Sequence, residues 1–430
     1  MNQFPRPLRA SFWDVAFYSL MVGLGETYIT AFALALGFSE QNSGMMATFP
    51  ILIASFVQIW AGTGVRWLGS QRRWVLLCAC GQALALLGLS VIGFIHPAYS
   101  EQLVAILFVC VTIYWSSALS ASPSWNSWIA SIVPDPLRTP FFAIRARIAQ
   151  FCTVLGLVTT GFWLQQIHDN ANRSLVFGMV FAVSGMCRLI SAYFLSRHPD
   201  TICEFKMRGL HRIFGRDGFA WLCERRTGVI VLFMLSTHFA VHISGPYFNA
   251  YMLRHLKLDY FDYMILISAS FVARVLTGGW LQRFAIHYGA TSLTHVGSFL
   301  VIFTPVLWVF SDAFAYMFLL QIFTGIAWGC HELGVTLMLM EKQSHDERAR
   351  LLTLTNLLNS SAMFLGSSFG YWLLAHEVLE AQHYYRIFTV STVLRTLPFL
   401  VLTILGDSRL RPTQWIRQLF YGGRRIFRSS

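Results

Sequence analysis

Five charged side chains within otherwise apolar stretches of this 430-residue chain are the first candidates for chemistry: Glu26, Arg188, Arg274, Glu332 and Arg395. A charge held at the centre of a bilayer costs roughly 2.5–3.5 kcal/mol on insertion scales, so such groups pair with one another or line a wet cavity. A carboxyl group removed from water can take up a proton near neutral pH, the property that coupling to a proton gradient requires. Glu26 is the first candidate for that role; the alternative is a structural partner for an arginine or for polar groups of neighbouring helices. Glu332, next to His331, has the same two readings. Arg274 either reaches the nearer membrane surface or pairs with an acid, or it binds an anion.

His238 and His242 are four residues apart and share one helix face. Two histidines do not make a metal site and no third ligand is visible, so no metal or other cofactor is expected. They read either as a pore-lining or proton-relay pair or as packed, hydrogen-bonded histidines. The Ser244-Gly245-Pro246 that follows interrupts a helix, because proline lacks the amide donor, and a bend there could serve gating. Trp115, Trp125, Trp128 and Tyr247, with Asn126 as a polar neighbour, either offer surfaces to an organic solute or fill helix contacts and interfacial belts.

The elements that must hold these residues are membrane helices. The chain is 55% hydrophobic and 12% charged, against about a quarter charged in soluble domains, which excludes a soluble enzyme. A hydrocarbon core about 30 Å thick takes about 20 apolar residues of helix to cross. Such runs fall at 13–37, 44–65, 74–95, 102–131, 146–166, 174–196, 227–252, 262–282, 290–310, 314–340, 351–376 and 384–406, predicting twelve spans. They are continuous rather than alternating, which disfavours a β-barrel. The first is too long for a signal-peptide core and is read as a mature helix. The eight cysteines show neither a disulfide framework nor metal spacing.

Net charge is +12, and the positions of the cations decide what that means. Most of the 32 Lys and Arg lie in the two termini and in the loops after even-numbered spans, while only Arg173, Arg254 and Lys257 fall in the opposite loops. This bias places both termini in the cytoplasm. The basic tail around Arg424, Arg425 and Arg428 then meets anionic lipid headgroups rather than nucleic acid.

A hydrophilic, basic stretch near the middle divides the chain into an N-terminal half (1–197), a linker (198–226), a C-terminal half (227–406) and a tail (407–430). The halves repeat one another. Gly62 to Trp67 and Gly279 to Phe284 both read G-x-x-x-R-aromatic. Phe181, Val183, Ser184 and Arg188 recur as Phe388, Val390, Ser391 and Arg395. Gly161-Phe162-Trp163-Leu164 recurs as Gly370-Tyr371-Trp372-Leu373. Two six-helix halves in parallel duplication are an architecture of secondary transporters, and the matched Arg188 and Arg395 read as structural.

With Gly62, Gly69, Arg72 and Arg73 placed around the loop after the second span, the chain resembles the major facilitator superfamily, whose loop there is of the type G-x-L-x-D-R-x-G-R-R. The departure is Arg66, which stands where that family usually has an acid. The run Trp125-Asn126-Ser127-Trp128-Ile129-Ala130, through Pro134, Arg138, Phe141, Phe142 and Arg145, is similar to bacterial members. The resemblance implies an all-α membrane fold of two pseudo-symmetric six-helix bundles, working as a monomer in a bacterial inner membrane. It also implies that spans 1, 4, 7 and 10 line a central cavity, so that Glu26 and Glu332 face it from opposite halves. In that arrangement Arg66 would meet Asp346 or Glu347, and Arg283 would meet Asp135, as two charge-reversed latches on the cytoplasmic side; otherwise Arg66 and Arg283 anchor helix ends at the headgroups.

No G-x-x-x-x-G-K-[ST] loop is present to bind ATP, and no intramembrane His-Glu-x-x-His or Gly-x-Ser-x-Gly marks an enzyme. The expectation is a proton-coupled secondary carrier for a small organic solute, importer or exporter, with a transport-dead receptor or scaffold as the alternative.

Overall fold

The computed structural model describes residues 6–95, 100–166, 170–200, 225–340, 345–374 and 381–405. Most of the expected linker and all of the expected tail lie outside them. Helices occupy all twelve expected places: α1 Leu8–Ala35, α2 Glu40–Gln58 with Ala61–Leu68, α3 Gln71–Ile95, α4 Glu101–Ile132, α5 Asp135–Gln165, α6 Asn170–Ser196, α7 Gly228–His255, α8 Tyr260–Tyr288, α9 Ala290–Val309, α10 Phe314–Met340, α11 His345–Leu373 and α12 Ala381–Leu405. Ten of these are long and apolar enough to cross a membrane, and α2 makes an eleventh if its two pieces, bent by 50°, count as one span. The remaining helix, α11, is diluted by Asn356, Asn359, Ser360, Ser361, Ser367 and Ser368. Leu276, Ile286 and Phe151 are 78, 74 and 70% exposed, in keeping with helices whose outer faces meet lipid.

The chain divides into two compact units, Met1–Arg208 with Gly245–Ser268, and Gly209–Ser244 with Ala269–Ser430. The ends of α7 and α8 that meet at the connecting loop thus belong with the first unit.

Helix association in a bilayer lacks a hydrophobic drive and relies on close approach and interhelical hydrogen bonds. In the first unit, α1 crosses α5 at Gly23 and Gly156: a Cβ on Gly23 would lie 2.2 Å from the Thr153 carbonyl oxygen, and one on Gly156 would lie 2.8 Å from the Leu24 nitrogen. Tyr28 Oη and Thr160 Oγ1 tie the same pair by donating to the carbonyls of Leu157 and Leu24 at 2.9 and 3.2 Å. α3 crosses α6 in the same way at Gly93 and Gly178, where Ser90 Oγ donates to Gly178 O at 2.7 Å and Ser174 Oγ to Gly93 O at 3.0 Å. The loop after α2 is pinned to the end of α6, because Ser70 Oγ donates to Asp200 Oδ1 at 2.7 Å while accepting from the Arg73 amide at 3.1 Å. In the second unit, Gly297 on α9 meets the His331 backbone of α10, and Gly366 on α11 meets the Phe239 carbonyl of α7.

The duplicated F-x-V-S-x-x-x-R motif does corresponding work in both units. Ser184 sits against Gly25, where a Cβ would come within 2.7 Å of its Oγ, and Arg188 Nε reaches across to Gln82 of α3 at 2.8 Å. Ser391 accepts from Ser244 Oγ at 2.9 Å and donates to the Ala240 carbonyl at 2.7 Å. Arg395 in turn reaches Thr304 Oγ1 at 2.6 Å and Val301 O at 3.0 Å on α9. Each motif packs beside the point where α1 or α7 loses its regular helical form.

Candidate functional site

α1 is broken. It runs as a regular helix over Arg6–Leu24, becomes a 3-10 turn at Glu26–Tyr28 and resumes at Ile29–Ala35. α7 breaks likewise, with a 3-10 turn at Gly245–Tyr247, where proline interrupts the helical hydrogen bonding. Glu26 therefore leaves the helix at an irregular turn, where its carboxylate accepts a short hydrogen bond from Tyr114 Oη of α4. Tyr114 is fully buried and also lies 3.3 Å from Met21 Sδ.

From that turn a line of polar groups descends along α1. Tyr18 feels the charges of Glu26, Arg188 and Asp14, and the Arg188 guanidinium stands 5.1 Å from its ring centre. Arg188 Nη1 donates to Ser191 Oγ at 2.8 Å, and Ser191 Oγ donates to Asp14 Oδ1 at 2.8 Å. The other oxygen of Asp14 is paired with Arg145 at 3.3 Å. Arg145 also donates to the carbonyl and hydroxyl of Ser11, and its guanidinium covers the Trp125 ring at 4.7 Å. Glu26 and Asp14 are twelve residues apart, about 18 Å of helix rise, so the groups run from the middle of α1 toward its N-terminal end. Beside them is a cavity of about 290 Å³ whose lining includes Asp14, Tyr18, Gln82, Trp125, Asn126, Arg145 and Arg188. Two guanidinium groups against one carboxylate leave that lining net positive.

Asp14, Arg145, Tyr18, Tyr114 and Gln82 are not among the residues that the sequence singles out for chemistry. Arg145 counts there as one more cation of a cytoplasmic segment, yet it is 8% exposed. A cation seven residues before a helix-lining cysteine and next to an aromatic-rich stretch carries no signal of burial; only the acid across from it on α1 does.

The second unit holds a different set. Arg274 and Glu332, candidates on separate helices, form an ion pair in which Nη1 lies 3.0 and 2.8 Å from the two carboxylate oxygens, with the side chains 29 and 51% exposed. His331 is buried between Phe233 and Trp328, and its Nδ1 is 3.2 Å from Ser298 Oγ. His242 Nδ1 is 2.8 Å from the His238 carbonyl, and the two rings lie 5.9 Å apart. Among the described residues no group of three or more His, Cys, Asp or Glu could hold a metal ion.

The aromatic candidates divide. Tyr247 is fully buried in the first unit, close against Gly44, and Trp128 is fully buried with its indole N–H donating to the Pro199 carbonyl at 3.0 Å. Trp115 is half-buried, edge-on to Tyr114, and exposed Asn126 donates to the Ser122 carbonyl one turn back. Of the latch residues, Arg66 is exposed and donates to Thr63 Oγ1 at 2.9 Å, and Arg283 is exposed. The side chains of Asp135, Asp346 and Glu347 lie outside the described residues.

No family model matches the chain, and no curated protein matches it by sequence. Solved structures do match by fold. A point mutant of the nucleoside transporter NupG superposes with a TM-score of 0.73 at 13% identity, covering 93% of this chain and 100% of its own. The bacterial homologue of the iron transporter ferroportin in its inward-facing state gives 0.66 at 16% identity, covering 92% and 97%. The xylose transporter XylE from E. coli in a partially occluded inward-open conformation gives 0.62 at 15% identity, covering 92% and 96%. The chain therefore has the all-helical fold of these transporters along nearly its full length, the fold that the resemblance to the major facilitator superfamily implies.

Proposed function

We propose that the chain is a secondary active transporter that carries a small organic solute by alternating access, coupled to protons through Glu26, and that it is not an enzyme. The observation that carries this reading is the setting of Glu26. It stands at the break in α1, receives the Tyr114 hydroxyl, and among the described residues forms no ion pair. A carboxylate kept as a structural partner for arginine would be expected to touch one; Asp14 does and Glu26 does not. The proteins matched by fold are a nucleoside transporter, a bacterial homologue of the iron transporter ferroportin and a xylose transporter, which supports transport without selecting a solute. The cation distribution supports a bacterial inner-membrane location with both termini in the cytoplasm and the tail against lipid headgroups. One chain serves as the working unit.

Reconstituted vesicles test the coupling. An imposed proton gradient should drive accumulation by the wild-type protein, whereas Glu26→Gln should abolish accumulation and keep counterflow exchange of the same solute. Gradient-driven accumulation by Glu26→Gln at the wild-type rate would refute the assignment. Specific binding with no flux in either direction would instead favour a receptor.

A further inference from the structure

The sequence leaves three cations, Arg173, Arg254 and Lys257, on the side of the chain that is otherwise nearly free of them. In the structure all three line one cavity of about 450 Å³ in the first unit, at the ends of α1, α5 and α7. Two segments deliver them, the start of α6 and the end of α7 with the loop that follows it. Arg173 lies in the first turns of α6, its guanidinium 5.3 Å from the centre of the Tyr260 ring. Arg254 lies in the last turn of α7, where Nη2 donates to the carbonyls of Leu34 at 3.0 Å and Phe38 at 2.8 Å, at and just past the end of α1. Both bonds use one nitrogen, so the three remaining N–H groups of the fork stay available.

Lys257 is presented by a costly backbone. Its φ of 51° makes it the one non-glycine residue with positive φ among those described, a conformation in which the Cβ of an L-residue crowds the following carbonyl oxygen. Hydrogen bonds on either side hold it, from Leu256 N to Tyr251 O at 2.9 Å and from Leu258 N to Met252 O at 3.0 Å. Asp259 is the one carboxylate in the lining, and Gln165 Nε2 lies 3.3 Å from its Oδ2. Glu40 is within electrostatic reach of Arg254 but lies outside the lining and does not pair with it. Three cations against one carboxylate give the lining a net charge of +2.

We infer that this cavity is a binding station for a soluble oxyanion, a carboxylate or phosphate group gripped by the Arg254 fork and Lys257, with Tyr260 and Arg173 closing one wall. Guanidinium forks match the planar spread of oxyanion oxygens, and the volume suits a small metabolite. The inference deepens the transport reading by naming the solute class as anionic and the face on which it is first met.

Binding without flux provides the test, which separates this inference from the transport reading. Purified full-length protein in neutral phosphatidylcholine nanodiscs is titrated with inorganic phosphate, succinate and phenyl phosphate while its thermal unfolding is followed. At least one probe should raise the midpoint saturably, with an apparent Kd weakened tenfold or more in Lys257→Gln and in Arg173→Gln, and weakened further by added salt. No shift with any probe, or equal shifts in wild type and both variants, would overturn the inference. So would a shift produced by phosphatidylglycerol in the nanodisc and by no soluble probe, since the oxyanion would then be a lipid headgroup.

Discussion

Asp14→Asn keeps the shape of the side chain and the oxygen that accepts from Ser191, but removes the charge facing Arg145. The two side chains are 9 and 4% exposed, so solvent screens little of the loss. Breaking one member of a buried ion pair costs about 3–5 kcal/mol, because the other charge stays buried without compensation. The 3.3 Å separation is longer than in the strongest charge-assisted bonds, and Ser11 and Trp125 continue to hold the guanidinium, which places the expectation near the lower end, about 3 kcal/mol. Unfolding of the purified protein by SDS in mixed micelles, followed by tryptophan fluorescence, measures it. Asp14→Leu combined with Arg145→Met should recover stability to within about 1 kcal/mol of wild type, since an apolar pair of similar volume replaces a buried ion pair at little net cost. The double variant should nevertheless stay inactive in transport, because the cavity beside α1 would have lost two of its charged groups. A loss below about 1 kcal/mol for Asp14→Asn, or a double variant no more stable than the single ones, would refute the account of a buried, mutually dependent pair.

Two further outcomes are expected. Arg66→Ala, which removes one exposed hydrogen bond to Thr63 Oγ1, should change the unfolding free energy by less than about 0.5 kcal/mol in the same SDS titration. His198, just past the end of α6, is held below its ordinary pKa by burial, so the folded protein resists protonating it while the unfolded chain does not. Stability is therefore lost as pH falls below about 6.5, the unfolded value, and His198→Gln should flatten that acid-side decline in thermal melts between pH 7 and pH 5.

The places of twelve helices were legible because a bilayer imposes one length and one composition on anything that crosses it. The repeat was legible for a related reason: Ser184 with Arg188, and Ser391 with Arg395, solve the same local problem of seating a broken helix. The break in α1 was not. Pro246 marks the break in α7 on its face, whereas Gly25-Glu26-Thr27-Tyr28 carries no proline, and the approach of Ser184 from α6 is a tertiary fact. Pairing across the chain was equally hidden. Arg274 and Glu332 stand 58 residues apart and Asp14 and Arg145 stand 131 apart, and no periodicity joins residues on different helices. Counting cations by side located Arg173, Arg254 and Lys257 on one face but could not bring them to one cavity; the start of α6 had to meet the end of α7.

The glycine crossings of the first unit have a consequence for how such a chain can change over generations. At Gly23, Gly156, Gly93 and Gly178 the room for even one methyl group is already filled by backbone atoms of the partner helix, which, unlike a side chain, cannot swing aside. Drift at any of the four would have to be answered by a shift of a whole helix, while a few residues away Leu84 and Ile95, at 67 and 69% exposed, can be exchanged among apolar residues at little cost. Descendants of this sequence are thus free to rewrite their lipid-facing surface long before they can alter the four glycines at these two crossings.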